Sequence, residues 1–120
     1  MNKSMIKDDE INKEKAQKLE KNLNNIFDIL WKEYQKLEDS INELTDMYYK
    51  NRIFEEYQGR YKIIISNLCQ IAVHQLDELQ ELGGILYEGS LYNIFFELCH
   101  VKKGALLQTY HNMIDRNNIK

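Results

Sequence analysis

Nine apolar or aromatic residues recur at steps of three and four through the first half of the chain. They are Leu19, Leu23, Ile26, Leu30, Tyr34, Leu37, Ile41, Leu44 and Tyr48. The mean step is 3.6 residues, which reads as the plain α-helical repeat and not as the strict 3.5 of a supercoiled dimer. Polar residues fill the other faces, and Glu14–Lys18 and Asp28–Lys32 stand at the favourable i,i+4 spacing. The acidic run Asp8-Asp9-Glu10 suits the positive end of a helix dipole, so one helix is expected from about 8 to 50. At about 1.5 Å per residue it would be about 63 Å long, whereas a compact domain of this size is about 35 Å across. Such a rod overhangs its own body, and overhanging helix either frays or meets another surface.

After Tyr48 the phase breaks, because the next positions on the stripe fall on Asn51, Arg52 and Glu55. A turn is expected near Lys50–Arg52. A second stripe begins at Phe54 and continues through Tyr57, Tyr61, Ile64, Leu68, Ala72, Leu76, Leu79 and Leu82, giving a second helix over about 53–82. GGILYEGS, residues 83–90, reads as a loop, with Gly83 as a C′ glycine and Ser90 as the next N-cap. Ile85, Leu86 and Tyr87 are apolar enough to fold over the end of a bundle. A third helix is expected over about 91–115, with Leu91, Leu98, Val101, Leu106 and Tyr110 on its inner face. Gly104, following Lys102-Lys103, marks a place where that helix can kink or split. The expectation is a single all-α domain over residues 1–120: an antiparallel bundle of three helices, or four if the last divides.

Composition narrows the class. The 120 residues are 43% hydrophobic and 29% charged, a globular balance. No apolar run reaches the roughly 18 residues needed to cross a bilayer, and MNKSMIKDDE lacks the apolar segment of a secretory signal. Two cysteines without such a signal point to reduced thiols in a cytoplasm. A net charge of −3 argues against a dedicated nucleic-acid binder. The absence of proline and the heavy use of Ile, Lys and Asn suit a helical protein from an AT-rich bacterial or phage genome.

The stretch FFELCHVKKG, residues 95–104, holds the only reactive side chains clustered in sequence. Glu97 and His100 have the Glu-x-x-His spacing of half a di-iron site, but Ile71 and Gln108 stand three positions before His74 and His111, so the second half is lacking. Zinc would draw on Cys69, His74, Cys99, His100 and His111, which point to different faces and include no C-x-x-C pair. A Cys99–His100 nucleophile would need a cleft and an oxyanion hole that a helix interior does not offer. Cys99 therefore reads as a small buried apolar residue, and His100 as a solvent-facing one bonded to Glu97. No catalytic residue, metal ligand, cofactor or small-molecule substrate is inferred.

The C-terminal YHNMIDRNNIK resembles the lead-in to the Arg-Asn-x-x-x-His motif of HEPN-family helical RNases and their antitoxin-paired relatives. Arg116 and Asn117 occupy its first two positions, while Lys120 falls one short of the histidine. The resemblance implies an RNA-binding or toxin–antitoxin-related helical protein, with no active site carried over.

The aromatic residues carry the remaining signal. Phe27 and Trp31 flank the first stripe and widen it beyond what one neighbouring helix needs, with Tyr34 on the stripe beside them. Tyr48 and Tyr49 stand about 100° apart and cannot share one narrow seam. Phe54 and Tyr57 follow directly after the turn. These seven residues are the expected contact surface for another protein, or for a second copy in a homodimer. The function expected is that of a non-catalytic helical interaction protein: a small inhibitor, an immunity or anti-defence protein, or a secretion chaperone or adaptor; the alternatives are the degenerate HEPN-like protein and a helical metalloprotein drawing on His74, Cys99 and His100.

Overall fold

A computed structural model describes residues 2–50 and 54–118, with side chains over 10–50 and 54–114. Three helices make up the fold: α1 (Asn2–Tyr49), α2 (Glu55–Leu86) and α3 (Gly89–Asn118). They form an antiparallel all-α bundle with one long N-terminal helix, and no strand occurs among the described residues. Residues 51–53, which hold most of the expected turn and the expected start of the second helix, lie outside the described residues. No helix among the described residues is long and apolar enough to cross a membrane.

The three helices pack through a seven-residue repeat. On α1 the buried positions are Phe27, Tyr34, Ile41 and Tyr48; on α2 they include Cys69, Leu76 and Gly83, with Ile65, Ala72 and Leu79 between. Cys99, Leu106 and Met113 keep the same interval on α3. Of the expected stripe, Leu30, Tyr34, Leu37, Ile41, Leu44 and Tyr48 are buried or pack against the core, while Leu19 and Ile26 are corrected to the outside, at 59% and 47% exposed. A strict seven-residue spacing holds one seam against a neighbouring helix, whereas a 3.6 spacing drifts around the axis.

Two further expectations change at the second connection. α2 does not stop at Gly83 but runs on to Leu86, leaving Tyr87 and Glu88 as the whole link. Gly83 serves close packing, not termination: a Cβ there would lie 2.5 Å from Cε1 of Phe95 and 2.6 Å from its Cδ1. The glycine that the turn requires is Gly89, with φ of 60°, at the start of α3, so Ser90 sits inside the helix's first turn. The Tyr87 amide donates to the Gly83 carbonyl at 2.8 Å, and Tyr87 and Leu86 pack against the core while Ile85 stays exposed. Gly104 neither ends nor splits α3, which is continuous past it. α1 starts before the acidic run expected to open it, at Asn2.

The long rod is present. α1 contains 48 residues, about 72 Å of helix, and the molecule measures 77 × 22 × 19 Å. Its radius of gyration is 21.1 Å, against about 13.6 Å for a compact chain of equal length. Every side chain from Glu10 to Asn22 is exposed, so the N-terminal part of α1 extends beyond the shelter of α2 and α3. The accessible surface is 9166 Å², where a compact chain of this mass exposes about 6,800 Å².

Candidate interaction surface

Most of the aromatics expected at a partner surface belong to the core. Phe27 is 6% exposed and meets the rings of Phe95 and Tyr87 edge-on at 5.3 and 5.7 Å. Trp31 stacks on Phe27 at 6.3 Å and packs against the core from its margin. Tyr34 is fully buried, and Tyr48 lies at 7% with the Lys62 ammonium 6.0 Å from its ring centre. The assignment of Phe27, Tyr34 and Tyr48 to a partner surface is therefore corrected, and Trp31 offers only one edge. The apolar face of α1 is wide because it packs on both other helices. Tyr49, Phe54 and Tyr57 are outside as expected, at 42%, 75% and 43% exposed.

An ionic network lies beside the aromatic core. The Tyr34 hydroxyl donates to Oε2 of Glu38 at 2.6 Å, and Nζ of Lys102 donates to both carboxylate oxygens at 2.9 and 3.2 Å. Burial alone would raise the Glu38 carboxyl. The two hydrogen bonds and the ammonium charge outweigh it and hold the group below its ordinary value. Burial, with the Glu38 hydrogen bond and charge, pushes the Tyr34 phenol well upward. The next residue on α3, Lys103, donates to Oδ1 of Asp77 at 2.9 Å and to Oε1 of Gln80 at 3.1 Å. Lys102 thus ties α3 to α1 and Lys103 ties it to α2.

The reactive cluster separates in the same way. Cys99 is buried and points inward, as does Cys69. His100 is outside, its ring parallel to that of Phe96 with centres 6.5 Å apart, in place of the expected bond to Glu97. His74 pairs with Glu78 at 3.2 Å on the outer face of α2. No group of three or more His, Cys, Asp or Glu side chains placed to hold a metal ion occurs among the described residues. The side chains of Arg116 and Asn117 lie outside the described residues.

Two exposed apolar strips occur, and of their members only Tyr57 was expected at a contact surface. One runs along α2 from Tyr57 through Ile64 and Ile71, each seven residues from the last, with the two isoleucines 44% and 50% exposed. Tyr49, at the end of α1, and Phe54, just before α2, are exposed as well. The other lies on α3 and comprises Leu91, Ile94, Leu98 and Val101, all exposed. Leu91, Leu98 and Val101 were expected inside and lie outside; Cys99 and Leu106, also expected inside, are buried together with Phe95 and Met113. The available signal was that α3 is apolar on more than one side, which no single neighbouring surface can satisfy.

No known protein family, curated protein or solved structure matches the chain.

Proposed function

We propose that this protein is a non-catalytic interaction module that binds another protein along the apolar strip of α2. The residues at work are Tyr49, Phe54 and Tyr57 at the bundle end, with Ile64 and Ile71 continuing the strip. The supporting observation is the exposure, among the described residues, of Phe54, Tyr57, Ile64 and Ile71, the last three on one face of α2. Tyrosine and phenylalanine at one end supply large contact areas with little flexibility to lose, and the isoleucines provide knobs at helical spacing for a partner helix. Small inhibitors, immunity proteins, adaptors and secretion chaperones of a cytoplasm all work in this manner.

The test uses the paired variant Tyr57→Glu, Ile64→Glu. Proteins retained from native extract by the wild-type chain are identified, and the binary complex with the best-retained one is reconstituted from pure components. The reading predicts loss of that complex in the variant with unchanged helical circular dichroism. A complex that survives both charges removes the strip from the binding surface.

A further inference from the structure

We draw no further inference here: the strongest candidate, the exposed apolar strip of α3 through Leu91, Ile94, Leu98 and Val101, carries nothing because nothing in the structure shows what covers it.

Discussion

Tyr34 and Lys102 approach the Glu38 carboxylate from two different helices, so this one group reports on whether α1 and α3 are docked. Its folded value is depressed, so the stability it contributes is complete above the ordinary carboxylate range of about 4.3 and is lost as pH falls through the lower folded value. The unfolding midpoint of Glu38→Gln is therefore expected to lie furthest below wild type near neutrality, with the gap closing under acid conditions. A gap that stays constant from neutral pH to about 3 would show that the carboxylate's charge contributes nothing. The buried thiols give a second test at this scale. Burial pushes Cys69 up to about 11, and burial also raises Cys99 despite the nearby Lys103 and Lys102 charges. Reaction with a thiol reagent at mildly alkaline pH should follow the rate of global unfolding for both residues. Rapid labelling of either thiol in the folded chain would mean that its helix opens locally.

The glycines separate into two kinds at the level of the helix. Gly83 is occupied space: Phe95, held by Phe27, Trp31 and Tyr87, has little freedom to retreat from an added methyl group. Gly83→Ala is expected to destabilise by about 1–3 kcal/mol, the usual cost of overpacking. Gly59 and Gly104 are helical and have nothing within 4 Å of an added Cβ, so alanine at either should stabilise by about 1 kcal/mol. Denaturant titration of the three variants checks the contrast, and a neutral Gly83→Ala would mean that the ring yields. The sequence showed Gly83 only as a helix-ending signal, because its real constraint is a ring from a residue twelve positions away. The same limit explains what was legible elsewhere. The all-α class and the presence of one long first helix follow from local period and were readable, whereas the count was open at three or four and α1 begins earlier than its acidic run suggested. The choice between adjacent faces depends on which neighbour lies opposite. Leu19 and Ile26 therefore resembled core although they sit one position off the Phe27 frame, and on α3 two apolar faces competed and the outer one was chosen. Among the aromatics the tip residues Tyr49, Phe54 and Tyr57 were placed correctly outside. Phe27, Tyr34 and Tyr48 were not, since an unusually broad apolar face fits two neighbouring helices as well as it fits a partner.

Taken whole, the molecule is a rod whose two ends differ in what they can hold. Carried backwards at intervals of seven, the core frame of α1 passes from Phe27 to Glu20 and Lys13, so the overhang has no apolar seam in register with the bundle. It is held helical by its own backbone hydrogen bonds and by continuity with the packed part. Local opening of Glu10–Asn22 therefore costs far less than global unfolding, whereas opening of Phe27–Tyr48 must break the core. Backbone amides from Glu10 to Asn22 should exchange at least about a hundredfold faster than those from Phe27 to Tyr48. Equal protection across both segments would mean that something beyond helix continuity shelters the overhang.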